Sequence, residues 1–476
     1  MSDETNKKIG LWGLVGMVIG SIIGGAIFDI PQNMAASSAL GPVIIAWVIT
    51  AIGMLMLAYT FKSLSDERPD LYIGIYSYAR EGFGKYIGFN SAWGYWISAA
   101  TGNVAFAVML NDAFGYWFPV MLKHSWPTII FGLFLIWFYN FLVMRGIKQA
   151  SSINTVTVVI KFIGLLGILA AMCAFFNWDT ATADMWGQSY HLGSITSQVE
   201  APMLVTLWAF IGIEGAVVIS NHAKKSSDVG KATVIGFLIA LAAYFLLSVL
   251  AFGIYQQPEL ANLTDPSTGY ILATKFSPHF VDFVNICLLV SVGGAWVAWT
   301  ILAAQLPYAA AKGKVLPKVF AHENSKNVPD VALIVSSIIM SVFMVLVCTA
   351  KNVYMAAIDI TGVIILPSYL LSSLYLLQAG ARSEIIKDKK GKRIRATIIG
   401  FLSTIYCLWL LYAANLSYLL VATIVYAVGI LFYMRARRDD HDGKPSFTGW
   451  EALLAIIITL LAIYAIYLLC IGQIAF

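Results

Sequence analysis

The sequence predicts an all-α protein that crosses a membrane about 13 times. Two observations predict this class. Of the 476 residues, 59% are hydrophobic and 12% are charged, whereas about a quarter of the residues in soluble domains are charged. The mean hydropathy is +0.79, and mostly apolar runs of about 18 or more residues, each long enough to cross a bilayer as a helix, recur along the whole chain.

The predicted spans follow one another from one end of the chain to the other. They lie near residues 11–30, 41–61, 87–111, 127–144, 154–176, 202–221, 230–254, 280–304, 330–349, 354–377, 396–413, 416–434 and 448–471. The polar stretch from Ser2 to Lys8 runs straight into the first span, so we expect no cleaved signal peptide.

Basic residues are distributed unevenly between the two sides of the predicted membrane. With the N-terminus inside, the inner segments hold 26 of the 30 lysines and arginines, and the outer loops hold Lys123, Lys275 and Lys351. Because short cytoplasmic loops retain positive charge, this split predicts a cytoplasmic N-terminus and, with an odd number of spans, an extracytoplasmic C-terminus. The net charge of +5 then reflects topology, and nothing in the sequence predicts nucleic-acid binding.

The cysteines and histidines form no pattern typical of a metal or cofactor site. The five cysteines lie in apolar runs without a CxxC pair, and the six histidines are scattered among loops and span ends. We therefore expect no metal and no cofactor.

The first span contains an unusual stretch from Gly20 to Pro31. Gly20, Gly24 and Gly25 each cost a helix interior about 0.5–1 kcal/mol relative to alanine, and Asp29 follows them. Where a membrane helix unwinds, its freed N–H and C=O groups need protein, water or a bound polar ligand as partners, because hydrocarbon offers none. The stretch therefore predicts a broken helix that holds a small solute. A glycine-rich packing face for a neighbouring helix is the alternative.

The sixth span is interrupted in the same way, by Gly212 and Gly215 around Glu214. Two interrupted spans separated by four intact ones predict a five-plus-five inverted repeat, with repeats near residues 11–176 and 202–377. In such folds the two broken helices form one central site, in which half-helix N-termini face an anionic group and unwound carbonyls face a cation. A solute with both a carboxylate and an ammonium group fits this site, and amino acids are the obvious class.

The repeat predicts two parts of the chain. Residues 1–395 form a ten-helix transport core, and residues 396–476 add three C-terminal membrane helices. The last of these helices is either a dimer contact or a device that sets the topology, and the oligomeric state is left open.

Ionisable residues at membrane depth cost at least about 2.5–3.5 kcal/mol each at the helix centre, so those that are present indicate function. Lys161 is either a proton-linked switch, a fixed cation in the place of a sodium ion, or a lysine that snorkels to the cytoplasmic interface. Glu214 is either a proton-sensitive latch or a carboxylate hydrogen-bonded to the next helix. Asp29 and Asp359 either pair with the cationic end of a substrate or lie solvated in a vestibule.

Three deep side chains are candidates for substrate contact. Asn103 follows Gly102 in the middle of span 3, where its amide needs a partner, either the substrate or another helix. Trp208 and Trp299 lie too deep for an interfacial aromatic belt, so they either pack the bundle or gate the site. Their positions beside or opposite the broken helices favour a gate.

Several motifs are similar to those of a known family of transporters. They are Gly24–Phe28 with Pro31–Ala35, Ser91–Ser98, Gly102–Asn103, Arg145–Lys148 with Ile153–Thr155, and Thr206–Trp208 with Phe210–Glu214. Through them the chain resembles the amino acid-polyamine-organocation superfamily. Within it the chain resembles the basic amino acid/polyamine antiporters, most closely the arginine/ornithine exchanger type, and the resemblance covers nearly the whole sequence.

The resemblance implies a LeuT-type fold and transport by alternating access. In relatives the substrate carboxylate lies against the backbone of a small-residue triplet in span 1, which here consists of Gly24, Gly25 and Ala26. The ammonium group of the substrate meets backbone carbonyls that correspond to those of Ile22, Trp208 and Ile211.

The resemblance also implies roles for side chains. The span 3 asparagine of the family falls on Asn103, with Phe106 one turn further on. The tryptophan that closes over the substrate falls on Trp208, and a tryptophan that lines the distal pocket falls on Trp299.

Two ionisable residues match functional positions of relatives. Lys161 matches a span 5 lysine that a related subgroup carries near the broken helix, and Glu214 matches an acid implicated in proton sensing in some members. Two features depart from the family pattern. The triplet Gly24–Ala26 stands where arginine/agmatine exchangers have Gly-Ser-Gly, so a hydroxyl contact to the carboxylate is absent. Asp29 and Asp359 have no assigned counterpart.

Together these observations predict an amino acid antiporter of the cytoplasmic membrane that makes and breaks no substrate bond and is therefore not an enzyme. Arginine for ornithine is the leading pair, because the family resemblance implies it and because two acidic residues could hold a cationic side chain. The second candidate is exchange of an amino acid for its decarboxylated amine, such as histidine for histamine or tyrosine for tyramine. The aromatic rings near the site could contact either the ring of such a substrate or, through a cation–π interaction, a cationic group. Two other functional classes are alternatives. One is a proton-coupled importer with Lys161 as the coupling group, and the other is an amino acid sensor that does not transport.

Overall fold

The computed structural model describes residues 10–68, 70–71, 75–123, 125–214, 224–350, 352–382, 386, 390–440 and 445–474, with the backbone alone of residues 147–159 and 226–227. Within these ranges every regular element is helical. The α-helices are α1 (Leu11–Ile22), α2 (Ala26–Ala35), α3 (Leu40–Glu67), α4 (Ile75–Phe83), α5 (Lys85–Gly115), α6 (Trp126–Met144), α7 (Ile147–Ala174), α8 (Trp178–Thr182), α9 (Ile195–Glu200), α10 (Met203–Phe210), α11 (Ser226–Phe252), α12 (Gln257–Ala261), α13 (Ser267–Ala273), α14 (His279–Lys312), α15 (Asp330–Val347), α16 (Val353–Ala381), α17 (Lys390–Ala413), α18 (Leu416–Asp440) and α19 (Gly449–Cys470).

The described helices account for the predicted spans. Nine of them are long and apolar enough to cross a membrane, and α1 with α2 forms a tenth span that is bent by 48°. The 31-residue α5 and the 28-residue α7 are also long enough to cross. α10 begins the predicted sixth span, and the part of that span after Glu214 lies outside the described residues. The prediction of an all-α polytopic membrane protein of the LeuT type is confirmed.

Both predicted breaks are present, and they touch. α1 ends at Ile22, and residues 23–25 interrupt the helix before α2 begins. α10 ends at Phe210, and Gly212 follows with a φ of +106°, in the left-handed region that glycine adopts at little cost. Ser21 Oγ donates a hydrogen bond of 3.0 Å to the carbonyl of Gly212, so the two breaks are joined directly.

α5 runs through the interior of the bundle and is buried along almost its whole length. It packs against α14 and α16, and because it faces protein on every side it tolerates many small and polar residues. Ser98, Gly102 and Phe106 recur at intervals of four residues, so they share one face of this helix. That face is turned toward the two breaks.

The peripheral helices present large apolar side chains outward. Exposed residues of this kind recur on α6, α17 and α19, and examples are Trp137, Leu408 and Leu460. Contiguous apolar faces are rare on proteins surrounded by water. These faces are therefore suited to lipid, in agreement with the multi-pass membrane fold.

Candidate functional site

A cavity lies where the two broken helices meet. The space in it that a water-sized molecule can occupy is only about 20 Å³, so in this conformation its walls lie close together and must part to admit an amino acid. It is lined by residues of both breaks and of the helices around them, namely Ser21, Ile22, Gly24, Gly25, Ala26, Ser98, Gly102, Phe106, Trp208, Ile211, Trp299 and Thr361. Eight of these are among the ten residues that the sequence predicts as substrate contacts, and none carries a charge.

The N-terminus of α2 opens into this cavity. Gly25 precedes the helix, Ala26 begins it, and both residues line the cavity. The first N–H groups of a helix have no acceptor within the helix, and the helix dipole adds partial positive charge at this end. A carboxylate at this position would accept hydrogen bonds from these N–H groups, as anions do at other helix N-termini.

Glycine is required where α2 begins because neighbouring helices approach closely. A Cβ atom on Gly25 would lie 2.3 Å from Met109 Sδ on α5 and 2.8 Å from Val292 Cγ2 on α14. A Cβ atom on Gly24 would lie 3.3 Å from the ring of Phe106. The absence of side chains at these two positions lets the start of α2 lie against α5 and α14.

The C-terminal ends of α1 and α10 face the same cavity. Ile22 is the last residue of α1, and Trp208 and Ile211 lie at the end of α10. The last carbonyl groups of a helix lack intrahelical donors and carry partial negative charge, so they favour an ammonium group. One positive and two negative helix ends therefore converge on a cavity whose described lining carries no charged side chain, which is an arrangement suited to a zwitterion.

Three consecutive carbonyl groups of the first break are held by three different helices. The carbonyls of residues 22, 23 and 24 accept hydrogen bonds, in that order, from Tyr244 on α11, Lys161 on α7 and Ser291 on α14, at 2.9 Å for the two hydroxyl groups. These bonds supply the partners that an unwound backbone needs inside a membrane. The carbonyl of Ile22 also accepts a hydrogen bond of 2.9 Å from the backbone N–H of Gly24, so both of its lone pairs are occupied in this conformation.

Lys161 points toward the first break and not toward the membrane surface. Its side chain is 2% exposed, and its Nζ donates to the carbonyl of Ile23. In this conformation Lys161 does not snorkel to the cytoplasmic interface.

Glu214 ties the second break to two other helices. Its carboxylate accepts hydrogen bonds from the hydroxyl groups of Tyr95 on α5, at 2.6 Å, and Tyr369 on α16, at 2.9 Å. Glu214 is fully buried, and it does not line the cavity. The carboxylate therefore holds the second break to α5 and α16 and does not border the cavity.

Aromatic rings form one wall of the cavity. The rings of Phe106 and Trp208 lie 6.0 Å apart, and Trp208 Nε1 donates a hydrogen bond of 3.2 Å to the hydroxyl of Tyr354. Trp299 lies against the second break, where a Cβ atom on Gly212 would be 3.1 Å from its ring. The two tryptophans that the sequence predicts as gates therefore both border the cavity.

Sequence reasoning missed four lining residues, and three of them carry hydroxyl groups. Ser21, Ser98 and Thr361 line the cavity together with Gly102. Ser98 Oγ donates a hydrogen bond of 3.1 Å to the carbonyl of Thr361, so α5 and α16 are joined at this wall. The signal that could have found Ser98 and Gly102 is helical spacing, because they lie eight and four residues before Phe106.

Besides Lys161 and Glu214, three predicted contact or gating residues do not line the cavity. Asn103 is fully buried beside it, and its Nδ2 donates a hydrogen bond of 2.8 Å to the carbonyl of Ala99 within α5. Asp359 is partly buried on α16, and its electrostatic neighbour is Tyr418 of α18. Asp29 lies one turn along α2 from the cavity. Direct contact of these side chains with a substrate stays a prediction.

The fold and the cavity define a class of multi-pass membrane proteins that bind a small solute between two broken helices. Comparison with known proteins agrees. The family model described as amino acid permease matches residues 9–417, so the chain belongs to this family of transporters.

Similar proteins are arginine/agmatine antiporters of Chlamydia species. The antiporter of Chlamydia felis is 44% identical over 98% of this chain and 97% of its own length. That of Chlamydia pneumoniae is 42% identical over 99% of both chains. That of Chlamydia trachomatis serovar D is 44% identical over 97% of this chain and 96% of its own length.

Proposed function

We propose that this protein is an antiporter that exchanges an amino acid with a cationic side chain, arginine first, for a product of its breakdown. The observation that carries the proposal is the convergence of the N-terminus of α2 with the C-termini of α1 and α10 on one uncharged cavity. These helix ends suit a carboxylate and an ammonium group. Relatives that are named arginine/agmatine antiporters support arginine as the substrate.

The side-chain end of arginine would meet rings and hydroxyl groups instead of a carboxylate. Phe106 and Trp299 border the cavity, and a guanidinium group binds well over an aromatic face. Ser98 and Thr361 supply oxygen atoms that can accept hydrogen bonds from its five N–H groups. Selectivity for arginine would therefore rest on shape, stacking and neutral acceptors.

Agmatine and ornithine are the two candidates for the exported product. The names of the relatives favour agmatine, which has lost the carboxylate and would leave the N–H groups of α2 without an anion. Ornithine keeps the carboxylate and would fill both helix ends as arginine does. The triplet Gly24–Ala26 departs from the Gly-Ser-Gly of arginine/agmatine exchangers, as the family resemblance implies, so the partner of arginine here need not be agmatine.

Counterflow in proteoliposomes tests this proposal. Vesicles are loaded with arginine, agmatine, ornithine or buffer, and uptake of labelled external arginine is measured in each. An exchanger takes up label into loaded vesicles only, and the internal compound that supports the faster uptake is the natural partner. Strong uptake into empty vesicles under a pH gradient alone would replace the proposal with a proton-coupled importer, and no uptake under any condition would favour a sensor.

Lys161 and Glu214 are proposed to couple the two breaks to alternating access. Lys161 contacts the backbone of the first break, and Glu214 is bound by two tyrosines beside the second. Any rearrangement of either break that admits or releases substrate would change these contacts. Both residues are therefore placed to respond to substrate or to protons.

The proposed setting is the cytoplasmic membrane of a bacterium, with the N-terminus inside. The inner segments would then hold 26 of the 30 basic residues. Residues 1–395 are proposed as the transport core, and residues 396–476 as three additional helices. Reporter fusions after residue 476 test the orientation, since an extracytoplasmic C-terminus supports alkaline phosphatase activity and a cytoplasmic one supports fluorescence of a fused fluorescent protein.

A further inference from the structure

Three carboxyl groups from three elements meet on one side of the cavity. Asp29 lies on α2, Asp112 lies near the end of α5, and Asp265 lies between α12 and α13. Each of the three repels at least one of the others, as their electrostatic interactions show. Asp29 is 2% exposed and Asp112 is 7% exposed, so this side of the cavity is closed. In the orientation proposed above, it is the outer side.

The carboxyl groups lie about one helical turn beyond the substrate cavity. Gly25 faces Met109 of α5, and Asp29 and Asp112 follow these two residues by four and three positions. Four residues of α-helix correspond to about 6 Å along the axis. The hydroxyl of Thr268 on α13 donates a hydrogen bond of 2.5 Å to the carbonyl just before Asp29, and so holds α13 against α2.

Several oxygen atoms in this closed region are buried without a hydrogen-bond donor. They are Asp29 Oδ1, Gln32 Oε1, Asn33 Oδ1 and Asp265 Oδ1. Asn33 is 5% exposed and follows Asp29 by one turn on the same face of α2. Among the described residues neither Asp29 nor Asp265 forms an ion pair with a lysine, arginine or histidine. Among the described side chains of this region, these oxygen atoms are therefore left without a donor.

Protons would supply donors to these oxygen atoms. Among the residues that the structure describes, no three His, Cys, Asp or Glu side chains are placed to hold a metal. Among the described residues, the other titratable groups that interact with the pair are Asp112, Tyr270 and Tyr354. An unpaired ionised carboxylate is costly to bury, and the usual response of a protein is to neutralise it.

We propose that Asp29 and Asp265 bind protons when α2 closes against α12 and α13, so that closure of the outer side is a proton-binding step of the exchange cycle. The inference rests on the proposed antiporter function and on its orientation in the membrane. The two carboxyl groups would be ionised when the outer side opens to water. Closure would then be favoured by external acid.

The sign of the effect follows from linkage. Asp265 lies outside the membrane-spanning helices, and burial raises its pKa to about 7 in the closed state. An aspartate in water has a pKa of about 3.9. Closure is therefore favoured fully below about pH 4 and loses stability as the pH rises toward about 7. For one carboxyl group, the ratio of open to closed molecules rises about 50-fold between about pH 5 and 7.

Thiol labelling of a residue hidden by closure tests this step. Ser267, which is fully buried beside α2, is replaced by cysteine after Cys173, Cys348 and Cys470 have been changed to serine. A membrane-impermeant thiol reagent is added outside proteoliposomes at external pH 5 to 7 with the internal pH fixed. The labelling rate of the reporter protein is divided by that of the same reporter carrying Asp29→Asn and Asp265→Asn, which cancels the intrinsic pH dependence of the thiol.

The ratio of the labelling rate of the reporter to that of the double asparagine variant is expected to rise by about 50-fold or more from pH 5 to 7. The reason is that the two carboxyl groups release protons when the outer side opens, whereas the asparagine amides do not. The matched control is Glu259→Gln, which removes an exposed charge from α12 and should follow the reporter parent. The single variant Asp265→Asn, in a connecting segment, serves as a second test if the double variant folds poorly, and should reduce the rise.

A ratio that stays constant from pH 5 to 7 would overturn the proposal. Exchange of arginine is measured in the same vesicles, so the two claims fail separately. Intact exchange with a constant ratio refutes proton-linked closure alone. A rising ratio without exchange supports proton-linked closure and refutes the antiporter function.

Discussion

Substitution of Gly25 by alanine is the sharpest test of the site at the first break. The added methyl group would lie 2.3 Å from Met109 Sδ and 2.8 Å from Val292 Cγ2, so α2 must move away from α5 or its neighbours must shift. Met109 is flexible, but the branched side chain of Val292 is not. Overpacking of this kind costs about 1–3 kcal/mol.

The strain would displace the N–H groups that would bind the substrate carboxylate, and so weaken substrate binding. If the strain is relieved by displacing the start of α2, the dissociation constant for arginine rises by about 5- to 150-fold, since each 1.4 kcal/mol is about tenfold. Titration calorimetry on purified protein measures this constant, and size-exclusion chromatography checks that the variant is folded and monodisperse.

Two other glycines of the same broken span are controls. At Gly24 the added methyl group would lie 3.3 Å from Phe106, so Gly24→Ala should have a smaller effect than Gly25→Ala. At Gly16 no atom lies within 4 Å of the added Cβ, so Gly16→Ala should bind arginine normally. A Gly25→Ala variant that binds arginine as tightly as Gly16→Ala would refute the site as described.

Three further substitutions address the walls and the coupling residues. Trp208→Leu removes the ring that packs 6.0 Å from Phe106, and the rate of arginine exchange should fall at least about tenfold with folding intact. Asn103→Ala removes a buried amide beside the cavity, and we expect the Michaelis constant for external arginine to rise a few fold. Lys161→Ala removes the donor to the carbonyl of Ile23, and the pH profile of exchange should become flatter.

Each of these expectations has an outcome that contradicts it. Unchanged exchange kinetics in both Trp208→Leu and Asn103→Ala would remove these residues from the site. A Lys161→Ala protein whose pH profile follows that of the parent would leave Lys161 as a purely structural partner of the first break.

The spans and the breaks could be predicted from the sequence because their signals are local. Apolar length marks a span, and glycines clustered at membrane depth mark a break, as at Gly24 and Gly25. The pairing of the two breaks followed from the spacing of interrupted and intact spans. The structure adds a direct hydrogen bond between the two breaks, from Ser21 to Gly212, which cannot be predicted from any short stretch of sequence.

The side-chain end of the cavity was harder to predict, because membrane depth does not give rotation about a helix axis. Asp359 lies two residues before Thr361, which lines the cavity, and two residues correspond to about 200° of helical rotation. The carboxylate is therefore turned away although its depth is right. Asn103 is similarly displaced by about 100° from Gly102.

The hydroxyl residues were missed for a different reason. Serine and threonine are common in membrane helices, where they bond to the backbone of the preceding turn, so their presence carries little information. Thr101 behaves in this way, with its Oγ1 bonded to the carbonyl of Ile97 at 3.0 Å, whereas Ser98 joins α5 to α16 beside the cavity. Only the three-dimensional arrangement separates the two.

A structure determined with bound arginine is the most direct test of the central claim, that the two breaks hold the charged ends of an amino acid. We predict density for the substrate carboxylate within hydrogen-bonding distance of the N–H groups of Gly25 and Ala26. We predict its ammonium group at the carbonyls that end α1 and α10. Arginine bound elsewhere, or in this cavity with its two ends reversed, would contradict the account.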